Sequence, residues 1–193
     1  GADVTLAKRA GLLHDIGKPE AFTEDENGRG HFYDHANLSA QMAEEILLRL
    51  RASNALREQV VFLIRHHMTP FEPDKKFLRR QLGKHGDEAV RQLLALQKAD
   101  YAGKGVTEEN ETDFEETQRL LTEILQEGAC LSVKDLAIRG SDVLELGVKP
   151  GPIIGECMNF LLRMVQDDMI TNTKEDLLRA AGEFLANYKE ESL

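Results

Sequence analysis

The residues best suited to chemistry lie near the start of the chain, in the string His14-Asp15-Ile16-Gly17-Lys18-Pro19. An imidazole nitrogen and a hard carboxylate oxygen from adjacent residues at a helix end can converge on one divalent cation. A cation held this way keeps positions open for water and for substrate oxygens. Gly17 is expected to relax the backbone beside the pair, and Lys18 is placed to reach a phosphate oxygen as a point charge. Alone, a His-Asp pair is a weak signal, because the same residues also cap helix C-termini and bind backbone amides. Further donors strengthen it. Asp100 lies beside the apolar helix face of Leu93, Leu94 and Leu96, where a carboxylate is costly to bury unless paired or metal-bound. His35 opens one expected helix and His66-His67 close another; each alone reads as a cap or a core-edge imidazole. As a set, these donors sit at the helix ends of one bundle, which is how bundle metal sites are assembled.

The elements that must position them are helices. Helical spacing runs over residues 4–14, through Val4, Leu6, Ala7, Ala10, Leu12 and Leu13, and Pro19 is expected to end that helix. Residues 20–33 read as irregular, with Asn27-Gly28 predicting a tight turn and a small hairpin. Helices are predicted over 35–50, 55–68, 75–85 and 87–101. The second buries Val60, Val61, Leu63 and Ile64, and Pro70 and Pro73 separate it from the third. The polar link 103–113 reads as a boundary or an exposed loop. Beyond it come a helix over 113–128, an extended stretch Leu131–Ile138 and a turn at Arg139–Asp142. Ser141 or Asp142 is expected to cap a short helix through Leu146. Pro152 starts another helix, and Thr173 with Asp176 resembles a capping box for a last one over 174–188. The fold class is all-α with at most one short hairpin, in two domains, 1–105 and 106–193.

Composition sets the outer bounds. The chain has 193 residues and a formal net charge of −10, with 41% hydrophobic and 30% charged residues, as in an ordinary soluble globular protein. No apolar run is long enough to span a bilayer, and no basic segment leads into an apolar one. Cys130 and Cys157 make no disulfide framework, so a cytoplasmic location is expected. The charge argues against nucleic-acid binding by the whole surface and leaves room for a local patch. It is also uneven. Residues 1–105 carry 16 Lys/Arg against 15 Asp/Glu, and residues 106–193 carry 8 against 19.

The string Leu12-Leu-His-Asp-Ile-Gly-Lys-Pro19 resembles the HD-domain superfamily of metal-dependent phosphohydrolases, and more closely the HD region of bacterial CCA-adding enzymes (tRNA nucleotidyltransferases) and related poly(A) polymerases. Gly30–Ser39, Leu63–Met68 and Lys98–Tyr101 extend that likeness. In the second half, Leu136–Gly147, Gly151–Gly155 and Asn172–Leu178 resemble the family's C-terminal body and tail. The resemblance implies an HD-domain helical bundle followed by a smaller helical region. It implies metal ligation by His14, Asp15 and Asp100, with His35 and His67 as further ligands or substrate contacts and a second ion admissible. His67 is preferred to His66 because it directly precedes Met68, as in the family string. Mn, Mg, Ni or Co would suit the mixed nitrogen and oxygen set. Two departures stand out. The family's usual upstream histidine is absent, since none of the 13 residues before His14 is histidine. The paired aspartates of a nucleotidyltransferase head are also missing. The chain therefore reads as the C-terminal portion of a longer protein, unable to add nucleotides itself and weak or inactive as a hydrolase.

RNA contacts are expected at small patches. Lys76, Arg79, Arg80 and Lys84 can share one side of a helix with Phe77 and Leu78 turned inward, which suits phosphate contacts or a solvated face. The Gly151–Gly155 helix start, with Lys149 beside it, offers free amides to a backbone or small residues to a tight helix contact. The leading functional expectation is the HD and tRNA-binding portion of a tRNA nucleotidyltransferase-like protein. Its site would hydrolyse phosphomonoesters or 2′,3′-cyclic phosphates, with Asp15 and Lys18 as catalytic residues and tRNA or another RNA 3′ end as partner. The alternatives are a nonenzymatic RNA-binding module and a free-standing nucleotide phosphohydrolase.

Overall fold

A computed structural model of the protein describes residues 4–105 and 108–191. It is all-α apart from one hairpin. The elements begin with α1 (Val4–Leu13), α2 (Lys18–Ala21), β1 (Phe22–Glu24), β2 (Gly30–Phe32), α3 (His35–Arg49), α4 (Asn54–His66) and α5 (Lys75–His85). They continue with α6 (Asp87–Lys104), α7 (Glu108–Gln126), a 3-10 turn (Val133–Asp135), α8 (Gly140–Leu144), α9 (Pro152–Gln166) and α10 (Lys174–Glu191). Among the described residues, β1 and β2 are the only strands. They pair antiparallel with Phe22 opposite Phe32, and Gly28, at φ +75°, makes their turn.

Local chemistry explains the boundaries. Ser53 caps α4 by accepting from the Leu56 amide at 3.3 Å. Thr173 Oγ1 accepts from the Asp176 amide at 3.3 Å and donates to its carboxylate at 3.2 Å, while its own amide donates to the Thr171 carbonyl at 2.8 Å, so Thr173 caps α10 with only the N-cap half of the expected box. Pro152 occupies the first turn of α9, where its missing N–H has no helical partner to lose.

Elsewhere the structure corrects the sequence reading. Pro19 does not merely end a helix; it sits in the first turn of α2. Leu131–Ile138 forms no strand, because the Asp135 carboxylate gathers the Leu131 and Ser132 amides and folds the segment into a 3-10 turn. Ser141 and Asp142 lie inside α8, whose N-cap is Arg139. Asp142 acts from the third position, accepting from the Arg139 amide at 2.7 Å. The link is much shorter than 103–113, because α6 runs to Lys104 and α7 starts at Glu108. Residues 106 and 107 of that link lie outside the described residues, as does the N-terminal Gly1-Ala2-Asp3.

The chain divides into two compact units. One comprises residues through Pro73 together with His85–Gln118, and the other comprises Asp74–Lys84 and the chain from Arg119 onward. In the first, α1, α3, α4 and α6 pack around Leu6, Ala43, Leu63, Ile64, Leu93 and Leu96. Each fully buried Leu or Ile side chain there contributes about 1.5–3 kcal/mol. In the second unit, α8, α9 and α10 pack around Leu136, Val143, Cys157, Leu161, Leu177 and Ala181. Gly83 of α5 belongs to that unit, and a Cβ there would lie 2.1 Å from the Leu131 carbonyl oxygen. No helix among the described residues is long and apolar enough to cross a membrane.

Candidate metal centre

The first unit brings His14, Asp15, His35, His67 and Asp100 to one place. His14 and Asp15 occupy the turn that follows α1. Gly17 closes this turn against α3, donating its amide to Ser39 Oγ at 3.0 Å. Its backbone, at φ −83° and ψ −9°, is ordinary right-handed geometry, so conformational freedom is not why glycine stands there. The reason is space: a Cβ at Gly17 would lie 2.7 Å from the Ser39 amide nitrogen. His35 is the first residue of α3, and Asp34 before it takes a left-handed φ of 60°. His67 follows α4, where Gln97 of α6 donates to the His67 carbonyl at 2.9 Å and also to the Thr69 carbonyl. Asp100 comes from the last turns of α6.

All three imidazoles are held in the same way. Nδ1 of His14 donates to the Gly11 carbonyl at 2.7 Å, that of His35 to the Phe32 carbonyl at 2.8 Å, and that of His67 to the Ile64 carbonyl at 2.6 Å. A ring anchored through Nδ1–H presents its Nε2 lone pair outward, as metal-bound histidines do. The three Nε2 atoms meet at the carboxylates. His14 Nε2 lies 3.4 Å from Asp15 Oδ2 and 3.3 Å from Asp100 Oδ1. The Nε2 atoms of His35 and His67 lie 3.6 and 3.9 Å from Asp15 Oδ1. That Oδ1 is buried and has no hydrogen-bond partner among the described residues. His14, Asp15 and His67 each offer an atom within 4.8 Å of the others.

A cluster of lone pairs and carboxylate oxygens repels itself unless protons or a cation occupy it. The spacing suits one cation: two nitrogens bound to an ion at about 2.1 Å, at octahedral or tetrahedral angles, stand roughly 3.0–3.4 Å apart. The orphaned Asp15 Oδ1 and the aligned imidazoles therefore fit a divalent ion with mixed nitrogen and oxygen ligands.

Electrostatics favour the ligand forms of Asp15, Asp100 and His67. Burial alone would raise the Asp15 carboxyl, but the Lys18 hydrogen bond and the charges of His14, Lys18 and His67 outweigh it and hold it below the usual range. Burial likewise opposes ionisation of Asp100, and Lys104 and His14 reverse that effect. Burial pushes the His67 imidazole down, toward its neutral form. Lys18 Nζ sits 2.5 Å from Asp15 Oδ2, and Lys104 Nζ sits 2.5 Å from Asp100 Oδ2.

His66 does not join the cluster; its ring packs on Phe62 at 4.7 Å and His85 at 5.1 Å. In the second unit, α5 carries Lys76, Arg79, Arg80 and Lys84, with Leu78 buried and Phe77 half-buried. Arg79 pairs with Asp168 at 2.6 Å and donates to the Gln166 carbonyl at 3.1 Å, and Arg80 pairs with Asp167. Lys76 and Lys84 are exposed, as is Lys149. Among the described residues, a Cβ at Gly155 would meet nothing within 4 Å, so none of them makes a tight helix contact that requires glycine there.

Sequence reasoning missed three supporting residues. Lys104 was legible as an i, i+4 partner of Asp100. Ser39 and Gln97 carried no local signal, because their partners are 22 and 30 residues away.

A family profile, tRNA nucleotidyltransferase domain 2, matches residues 21–181. That span takes in His35, His67 and Asp100 and starts after Lys18. The CC-adding tRNA nucleotidyltransferase of Thermus thermophilus is 32% identical over 173 residues, 88% of this chain and 38% of that protein. The A-adding tRNA nucleotidyltransferase of Deinococcus radiodurans is 30% identical over 162 residues, 81% of this chain and 36% of that protein. The CCA-adding enzyme of Limosilactobacillus fermentum is 41% identical over 51 residues, 26% of this chain and 13% of its own length. The chain thus spans little more than a third of the first two relatives.

Proposed function

This chain belongs to the tRNA nucleotidyltransferase domain 2 family, and from that premise we propose that it is the metal-site and tRNA-binding portion of a tRNA nucleotidyltransferase-like protein. The first half, 1–105, is read as an HD domain that hydrolyses phosphomonoesters or 2′,3′-cyclic phosphates at an RNA 3′ end. The acidic half, 106–193, is read as a body and tail region. One observation carries the reading: three Nδ1-anchored imidazoles and the orphaned Asp15 Oδ1 face one point.

His14, Asp15 and Asp100 would hold the ion, with His35 and His67 completing the set; Mn, Mg, Ni or Co suits these donors. When bound, the ion supplies Lewis-acid polarisation of a phosphoryl oxygen and lowers the pKa of water. The protein's part is positional. The Gly11, Phe32 and Ile64 carbonyls hold the rings, Asp15 supplies negative charge at the centre, and Lys18 offers its ammonium to charge developing on phosphate. RNA contacts fall to Lys76, Lys84 and Lys149, with Arg79 and Arg80 beside them. Nucleotide addition is assigned to no residue of this chain.

Mn²⁺ titration by calorimetry, paired with hydrolysis of 2′,3′-cyclic AMP, tests the reading. Mn²⁺ binding that is lost in Asp15→Ala, with at most weak metal-dependent hydrolysis by this chain, is the expected result. Absence of Mn²⁺, Ni²⁺ and Co²⁺ binding would overturn the metal site. The second reading, a nonenzymatic RNA-binding module, is favoured by the Lys18 and Lys104 ammoniums already seated on both carboxylates. It prevails if Asp15→Ala leaves metal content unchanged while tRNA still binds.

A further inference from the structure

A cleft of about 490 Å³ opens directly against two residues of the candidate metal centre, His67 and Asp100. That volume is in the range that holds a small organic ligand and exceeds what bare phosphate needs. The residues following the two donors line it: Met68 after His67, and Tyr101 after Asp100. Both are large and exposed, at 62% and 44%. Exposed apolar side chains inside a concave site commonly mark a ligand surface.

The cleft has an aromatic wall and an acidic rim. Tyr101 is braced edge-on by the buried Phe114, with ring centroids 5.6 Å apart, and Phe71 lines the same space. The rim carries the exposed carboxylates of Glu72 and Asp113. Lys104 also lines it, but its ammonium is seated on Asp100. A carboxylate rim repels additional phosphates and accepts hydrogen bonds without donating any. Such a cleft suits a planar, uncharged heterocycle bearing N–H donors, and the metal end suits one phosphate.

We propose that this cleft holds the base of a nucleotide whose single phosphate lies at the metal centre, with Tyr101 as the stacking platform and Glu72 and Asp113 selecting an amino-bearing base. The phosphate end of this inference rests on the metal-site reading above; the base end stands on the cleft alone. Tyr101 is then a specificity-determining residue.

Equilibrium binding by calorimetry or ligand-observed NMR, in Mn²⁺ and in EDTA, tests it with adenosine 3′-monophosphate, uridine 3′-monophosphate and ribose 5-phosphate. Alanine replacement of a stacking aromatic ring costs about 1–3 kcal/mol per base, equivalent to roughly 5–150-fold in affinity. Tyr101→Ala is therefore expected to weaken adenosine 3′-monophosphate binding at least fivefold and leave ribose 5-phosphate unchanged. Tyr101→Phe should bind within about twofold of the parent, because the ring face remains. Uridine 3′-monophosphate should bind more weakly than its adenosine counterpart. Equal affinity for adenosine 3′-monophosphate and ribose 5-phosphate, or a neutral Tyr101→Ala, would overturn the cleft assignment. If Mn²⁺ fails to bind while the base preference persists in EDTA, the metal reading falls and the cleft stands.

Discussion

The Nε2 atoms of His35 and His67 stand 3.3 Å apart, and each ring is tied through Nδ1 to a backbone carbonyl three residues earlier. Two lone pairs at that distance repel, and each ring's other nitrogen is already spent on the backbone. A proton or a cation between the rings and Asp15 removes the conflict. The same anchoring at His14 extends the pattern to three rings from three different helix ends. A lone surface histidine has no need of such an arrangement.

Metal should therefore stabilise the first unit. A ligand at 100 times its Kd adds about 2.7 kcal/mol to folding free energy. For a chain of this size that corresponds to a rise of roughly 5–10 °C in melting temperature. Differential scanning calorimetry with and without Mn²⁺ reads it, and Asp15→Ala should abolish the rise.

Gly17→Ala should destabilise the protein by about 1–3 kcal/mol, as overpacking does, because the new Cβ would press on the Ser39 amide at 2.7 Å. Urea unfolding measures the loss. Metal affinity should fall with it, since the same turn carries His14 and Asp15. An unchanged midpoint would mean that α3 yields there at no cost.

Asp135 gives an acid-limb prediction. Hydrogen bonds from the Ser132 hydroxyl and amide, then from the Leu131 amide, hold its carboxyl below the ordinary value of 3.8. A depressed carboxyl contributes stability above its unfolded pKa and loses it as pH falls through the folded one. Asp135→Ala should cost about 0.5–2 kcal/mol at pH 7, like other lost caps. The gap between variant and parent should close as pH drops below about 4, the unfolded value. Urea midpoints across pH 3–7 check the slope.

Thiol labelling separates the buried cysteines from reactive ones. Burial pushes the Cys157 thiol up to about 11, and burial with the nearby Asp135 charge raises Cys130. Neither should react with Ellman's reagent at pH 7 at the rate of an exposed thiol, and both should react in denaturant. Fast labelling of the folded protein would contradict this packing.

On α5 the four basic residues should part company. Arg79→Ala should lower the stability of the second unit, because it breaks contacts to Asp168 and the Gln166 carbonyl. Lys84→Ala should instead weaken RNA binding and reduce the salt slope by about 1. Filter binding of tRNA from 50 to 200 mM salt distinguishes the two.

Much of this protein was legible in its sequence for local reasons. Helical periodicity, Pro152 at the start of α9 and the Thr173 cap on the Asp176 amide lie within a few residues of what they control. The His-Asp pair, His35, His67 and Asp100 were recognisable as donors because their chemistry belongs to their side chains. What local signals did not reach was decided by tertiary structure. Leu131–Ile138 reads as an extended stretch, but among the described residues it has no strand to pair with, and Asp135 bends it into a turn. Arg79 and Arg80 look like an open stripe until Asp168 and Asp167, nearly ninety positions away, meet them. Gly17 suggests backbone freedom by its residue type, yet its backbone is ordinary and the demand comes from Ser39 on another helix. Residue type and short-range spacing determine which groups are able to act. Only the packing of α1, α3, α4 and α6 decided that His35 and His67 meet Asp15 and that Asp100 meets His14, because those approaches depend on contacts between segments distant in the chain.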